Sequence, residues 1–115
     1  MSIRGVETGR AIIGTAIGTI VGSVPPAMEG EIYGAQFANL TSGSVSVELF
    51  ERRAGTVTGV IEAVSLEPFK TEKKGFGGNI IARIHSECEL CGSATGGSVE
   101  VTVLYRYVPG RSRIP

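Results

Sequence analysis

The clearest hydrophobic pattern in the chain is an alternation of apolar and polar residues over positions 44–52. Its apolar side consists of Val45, Val47 and Leu49. A second alternation covers positions 98–108, with an apolar side formed by Val99, Val101, Val103, Tyr105 and Tyr107. A period of two is what a strand with one buried face requires, so both stretches predict half-buried β-strands. Phe50 falls on the polar side of the first stretch, where it is either a sandwich-edge residue or an exposed contact for a partner.

Further stretches complete a series of about eight predicted strands. The predicted strands cover residues 11–21, 31–39, 44–52, 56–64, 66–73, 79–86, 88–94 and 98–108. Residues 11–21 contain Gly14 and Gly18, so a helix with a small-residue face is the alternative there, but each glycine costs a helix about 1 kcal/mol relative to alanine. The spacing predicts an all-β fold, a single antiparallel β-sandwich or jelly roll.

Local features refine three of these stretches. In residues 31–39 the period of two places Tyr33, Ala35 and Phe37 on one face, which is the better candidate for the core. Gly59 predicts a β-bulge in the strand that contains it. Residues 73–79 form the most flexible internal loop, in which glycines surround Phe76.

The 115 residues are enough for one hydrophobic core. We expect an N-terminal arm over residues 1–10, a β-sandwich domain over residues 11–108 and a basic C-terminal arm over residues 109–115. Arg106, Arg111 and Arg113 have no acidic neighbour in the sequence. From the residues alone, the N-terminal arm is expected to be either disordered or ordered on a neighbouring molecule.

Charge and composition narrow the classes of partner. Eleven acidic and eleven basic residues give a formal net charge of zero, which argues against nucleic acid and anionic membranes as partners. All eleven acids are glutamate. No apolar run approaches the roughly 18 residues of a membrane-spanning helix, and the N-terminus does not fit a signal peptide, so synthesis in the cytoplasm is expected.

Residues with reactive side chains do not form a convincing catalytic pattern. Cys88 and Cys91 lie three positions apart on a predicted strand, so their thiols should face opposite sides; two buried thiols are expected, and a metal site shared between symmetry copies is the alternative. The lone His85 and the glycine-rich loop beside Lys73 and Lys74 match no catalytic or phosphate-binding motif. Two pairs of carboxylates, Glu29 with Glu31 and Glu87 with Glu89, are expected to be solvated. We therefore expect no enzyme, with no catalytic, cofactor-binding or metal-binding residues.

The order of features between positions 24 and 108 resembles that of small β-sandwich virion proteins of tailed bacteriophages. The matching stretches are Val-Pro-Pro-Ala at 24–27 with Gly30, the strand 31–39 followed by Leu-Thr-Ser, Val-Ser-Val-Glu-Leu at 45–49, and the strands 90–94 and 99–107 around Gly96-Gly97. The chain departs from this pattern where Glu87-Cys88 replaces the usual Gly-Asp pair, and in its doubled proline.

The resemblance implies a structural role in a phage particle, and the leading hypothesis is a capsid decoration or cement protein. It would be a homotrimer, located in the virion and bound to the major capsid protein. A tail, neck or baseplate component is the alternative, and a receptor- or carbohydrate-binding module is an alternative of another class. The candidate interface residues are Arg4, Arg10, Phe50, Phe76, Arg111 and Arg113.

Overall fold

The computed structural model describes residues 6–110, which form nine β-strands and no helix. The strands are β1 (Glu7–Ile13), β2 (Gly18–Val21), β3 (Met28–Asn39), β4 (Val45–Arg53), β5 (Thr56–Leu66), β6 (Thr71–Gly75), β7 (Ala82–Ile84), β8 (Glu89–Ala94) and β9 (Val99–Pro109). The predicted all-β class is confirmed.

The strands form two antiparallel sheets. The larger sheet has the order β1-β9-β3-β6, with β7 also pairing with β3, and the smaller sheet has the order β2-β8-β4-β5. Phe37 and Val101 from the larger sheet share one buried cluster with Leu49 and Leu90 from the smaller sheet. The two sheets therefore enclose a common core, which is the arrangement of a β-sandwich.

The two alternating stretches form the strands that the sequence predicts. The apolar side of β4 is buried, and Val99, Val101 and Val103 in β9 are fully buried. Tyr105 and Tyr107 pack against the core while remaining partly exposed. β5 has two register shifts against β4, which leave Thr58 and Ile61 unpaired, while Gly59, the predicted bulge residue, pairs with Glu51.

The single strand predicted over residues 11–21 is wrong. β1 ends at Ile13 and β2 begins at Gly18, and the Gly14 carbonyl between them accepts a 2.7 Å hydrogen bond from the Ala94 N–H. The chain turns here because Ile13 packs in the core from one sheet while Ile20 packs from the other. Residues 7–10, assigned to the N-terminal arm, belong to β1, which pairs with β9.

The face assignment in β3 is correct for Ala35 and Phe37 and wrong for Tyr33. A register shift between Ile32 and Gly34 makes Tyr33 the additional residue of a bulge. Ile32 therefore joins Ala35 and Phe37 in the core, and Tyr33 is buried outside that cluster.

Phe50 does not have the solvent-exposed position that the alternation predicts. It is 3% exposed, although it does not belong to the main core cluster. Because β4 is a central strand, the register places Cys91 of β8 on one side of Phe50 and Val60 of β5 on the other. Alternation along one strand cannot show this covering by neighbouring strands.

The segment between β5 and β8 contains less strand than predicted. β6 covers only Thr71–Gly75, and β7 covers only Ala82–Ile84. Phe69 and Phe76 lie at the turns that flank β6, with φ angles of 55° and 71°. Positive φ is incompatible with strand geometry, so the chain leaves the extended conformation at both positions.

Candidate functional site

The outer face of the larger sheet carries a cluster of charged and aromatic side chains, which we name the charge cluster. It consists of Glu29, Glu31 and Tyr33 from β3, Arg83 from β7 and Arg106 from β9. Glu31 lies directly opposite Arg83 in one neighbouring strand and Arg106 in the other. The strand register alone therefore brings both arginines to one carboxylate.

Glu31 is the centre of this cluster. Its Oε1 accepts hydrogen bonds from the Tyr33 hydroxyl at 2.6 Å and from Arg106 Nη2 at 2.9 Å. Its Oε2 is 3.3 Å from Arg83 Nη1, which also donates to Glu29 Oε1 at 2.8 Å. Only 7% of Glu31 is exposed, so the prediction that this carboxylate is simply solvated is wrong.

The hydrogen bond between Tyr33 and Glu31 shifts the pKa of both groups. The hydrogen bond from Tyr33 lowers the pKa of the Glu31 carboxyl, with Arg106 acting in the same direction against the opposing effect of burial. The same hydrogen bond, together with burial, raises the pKa of the Tyr33 hydroxyl. At neutral pH an ionised carboxylate therefore accepts from a neutral phenol, which is a charge-assisted hydrogen bond.

Arg106 is held by an ion pair and by a contact with an aromatic ring. It binds Glu31, its guanidinium carbon lies 5.6 Å from the centroid of the Tyr33 ring, and this geometry is a cation–π contact. Its buried Nε has no hydrogen-bond partner within residues 6–110. The guanidinium is therefore fixed in place while one of its donors stays unused.

Two exposed apolar side chains lie beside the charge cluster, and we name them the apolar pair: Phe76 and Ile81. Phe76 N–H donates to the Tyr33 carbonyl at 3.0 Å, and Ile81 N–H donates to the Ile32 carbonyl at 2.8 Å. The Phe76 ring covers Gly34, where a Cβ atom would lie 2.9 Å from the ring carbons. Both side chains are therefore anchored on the bulge of β3 that also places Tyr33.

This arrangement is suited to binding rather than to bond-making chemistry. Arginine and aromatic side chains are enriched in the centres of protein interfaces. Arg83 and Arg106 keep about a third of their side-chain surface exposed, and salt bridges orient both. A partner would therefore meet preordered donors next to an apolar contact.

The candidate interface residues fall into different places. Phe76 is exposed in the apolar pair, and Arg10 is exposed in β1 with its Nε 3.4 Å from Thr102 Oγ1. Phe50 is buried, so it offers no surface for a partner. Arg4, Arg111 and Arg113 lie outside the described residues.

His85, directly after β7, lies beside a carboxylate and a thiol. Its Nδ1 is 2.8 Å from Glu51 Oε2, and Thr58 Oγ1 donates to Glu51 Oε1 at 3.0 Å. Cys88 lines the same depression, but burial raises the pKa of its thiol. A nucleophilic cysteine requires a lowered pKa, so this group of residues lacks the activation that cysteine catalysis needs.

The second cysteine belongs to a separate group on the smaller sheet. Cys91 Sγ is 3.4 Å from Glu89 Oε1, which binds Arg52 Nη2 at 2.8 Å. Cys88 and Cys91 are both buried free thiols, so the prediction of two buried thiols is confirmed. Cys88 precedes β8 and packs in the main core, whereas Cys91 lies on β8 outside that cluster. Within residues 6–110 no group of three potential ligands is arranged to hold a metal ion.

Sequence reasoning missed the charge cluster because its members are distant in the chain. Arg83 and Arg106 are 52 and 75 residues from Glu31. The available signal is the spacing of Glu29 and Glu31 on one face of a strand, but pairing with the arginines depends on which strands become neighbours. The sequence does indicate Phe76 as a candidate contact, because glycines on either side mark it as a loop residue.

Among the described residues, no helix has the length and apolar character to cross a membrane. A scan against protein-family models, a search of curated proteins and a search of solved structures each found no match.

Proposed function

We propose that this chain is a structural protein of a tailed-bacteriophage virion. In this proposal it is a capsid decoration or cement protein, made in the host cytoplasm, that binds the shell where major capsid subunits meet. The outer face of the larger sheet is the binding surface. The protein acts through surface contacts and catalyses no reaction.

The observation that carries the proposal is the apolar pair beside the charge cluster. Phe76 and Ile81 are exposed, and the neighbouring Arg83 and Arg106 are already oriented by Glu31. Because these side chains are ordered before binding, little conformational entropy is lost when a partner covers them. In a shell of repeated subunits, many such contacts act together through avidity.

The sequence resemblance supports the same proposal. The strand segments that carry it lie in β3, β4, β8 and β9. Of these strands, β9 and β3 are central in the larger sheet, and β8 and β4 are central in the smaller one. The resemblance therefore covers central strands of both sheets together with the turns at 24–27, 40–42 and 96–97.

The experiment is to add purified protein to particles that lack it and measure the bound copies. Phe76→Ala should lower occupancy at least tenfold, because a central interface aromatic contributes about 2 kcal/mol or more and about 1.4 kcal/mol is tenfold in affinity. Val60→Ala is the matched control, since Val60 is an exposed apolar residue on the other sheet. Unchanged occupancy with folded Phe76→Ala protein would contradict the proposed surface.

The alternative role as a tail, neck or baseplate component requires the same kind of surface. It differs in the number of copies per particle, which is small and fixed by the symmetry of the tail. A capsid decoration protein is present in hundreds of copies. The homotrimer and the location in the virion stay predictions that these measurements address.

A further inference from the structure

One end of the sandwich gathers four turns, which we name the turn end. Its turns are residues 14–17, 40–44, 67–70 and 95–98. The register places them together, because Val99 lies opposite both Ile13 and Asn39, while Val45 lies opposite Leu66. Four connections that are remote in sequence therefore form one continuous surface.

Backbone hydrogen bonds join these turns in a row. Ala94, the last residue of β8 before the turn at 95–98, donates its N–H to the Gly14 carbonyl at 2.7 Å, and Leu40 N–H donates to the Ser98 carbonyl at 3.0 Å. Phe69 N–H donates to the Thr41 carbonyl at 3.1 Å. Each turn is thus fixed to its neighbour through the main chain.

The buried side chain of Asn39 strengthens this end. Its Nδ2 donates to the carbonyls of Gly43 and Glu67 at 2.8 and 3.0 Å. Its Oδ1 accepts from the N–H and the hydroxyl of Thr41 at 3.0 and 2.8 Å. One amide therefore uses both donors and both acceptor positions to hold two turns.

The turn end exposes apolar side chains and almost no charge. Its exposed large apolar residues are Ile17, Leu40 and Phe69, and 68% of Phe69 is accessible to solvent. Three of the four turns contain no charged residue, and the fourth contains Glu67 and Lys70. Interface centres are likewise depleted in charge.

We infer that the turn end is the surface through which copies of this chain associate with one another. An uncharged surface meets its own copy without like-charge repulsion. Glu67 and Lys70 have opposite signs, so the one charged turn is complementary in charge to the same turn of a second copy. The hydrogen-bonded turns are already ordered, which lowers the entropic cost of association.

This inference goes beyond the proposed function, since it concerns the isolated protein and requires no phage particle. Association of three copies would give the homotrimer that the sequence analysis expects, with a mass three times the 12.0 kDa of the chain. Association of two copies about a two-fold axis would give twice that mass. If the protein failed to bind phage particles, the mass measured for the isolated protein would be the same.

The test is the molar mass of the purified protein by light scattering and sedimentation over a range of concentrations. Wild-type protein should have a mass that is a multiple of 12.0 kDa, and Phe69→Asp should have the mass of one chain. Aspartate suits this position because Phe69 has a φ of 55°, a region that aspartate adopts more readily than most residues.

The matched control is Val57→Asp, because Val57 is 47% exposed and lies near the end of β5 that is remote from the turn end. It should keep the wild-type mass. Leu40→Asp is the second variant and should also dissociate the protein, with circular dichroism used to verify the fold of each. A single-chain mass for wild-type protein at all concentrations would overturn the inference, as would an unchanged mass for both folded variants.

Discussion

At the scale of residues, one carboxylate determines the arrangement of the candidate binding surface. Glu31 accepts hydrogen bonds from Tyr33, Arg83 and Arg106, so these donors surround its charge. Removing the charge of one partner leaves the others without compensation. Neutralising Glu31 should therefore lower the free energy of unfolding by more than neutralising a typical surface charge does.

Glu31→Gln should lower the free energy of unfolding by about 2 kcal/mol, since hydrogen bonds to charged groups contribute about 1.5–3 kcal/mol. The measurement is urea denaturation of both proteins. Glu48→Gln serves as the control because Glu48 is an exposed carboxylate on β4, and it should change stability by less than about 0.5 kcal/mol. Equal effects of the two substitutions would contradict the central role of Glu31.

The lowered pKa of Glu31 also predicts how this stability difference changes with pH. A carboxyl whose pKa is lower in the folded state than its ordinary 4.5 contributes stability above that value. The contribution is lost as the pH falls through the lower folded-state pKa. The difference in unfolding free energy between wild type and Glu31→Gln should therefore shrink between neutral pH and about pH 3. A difference that stays constant over this range would show that the Glu31 charge is not its source.

The contact between Gly34 and Phe76 gives a third test at this scale. A Cβ atom on Gly34 would meet the Phe76 ring at 2.9 Å, so Gly34→Ala should cost about 1–3 kcal/mol. In a Phe76→Ala background the cost should largely disappear, which a double-mutant cycle measures. Gly59→Ala is the control, because nothing lies within 4 Å of a Cβ there. The same Gly34→Ala cost in both backgrounds would contradict the packing of the ring.

At the scale of elements, the buried amide of Asn39 holds two of the four turns of the turn end. Asn39→Ala removes all four of its hydrogen bonds and should lower stability by about 2–3 kcal/mol. It should also speed backbone hydrogen exchange in residues 40–44 and 67–70. Asn79→Ala, in the exposed connection between β6 and β7, is the control. Unchanged exchange in both turns would show that Asn39 does not order them.

The strands could be predicted wherever one alternating pattern determined them. β4 and β9 follow from their own residues, because their apolar sides face one common core. The break between β1 and β2 could not be predicted in the same way, since Ile13 and Ile20 look like one apolar run until they join different sheets. The bulge at Tyr33 likewise depends on the register against β9.

The candidate site was less predictable than the fold. Phe76 could be identified because its glycine neighbours place it in a loop. Glu31 and Arg106 could not be paired from the sequence, because their contact requires β3 and β9 to be neighbours. Phe50 misled the prediction because a central strand can bury residues on both of its faces.

At the scale of the whole molecule, the sandwich presents two surfaces of different chemistry. The outer face of the larger sheet combines charged donors with Phe76 and Ile81. The turn end is largely uncharged and exposes Phe69. The proposed binding to a shell and the proposed association of copies use different surfaces, so variants should affect each one independently.

The most direct test of the proposed role is the number of copies of this chain in purified virions, measured by quantitative mass spectrometry against the major capsid protein. A capsid decoration protein should be present in hundreds of copies per particle. Six or twelve copies would instead indicate a tail or neck component. Absence of the chain from purified particles would contradict the proposal that it is a virion protein.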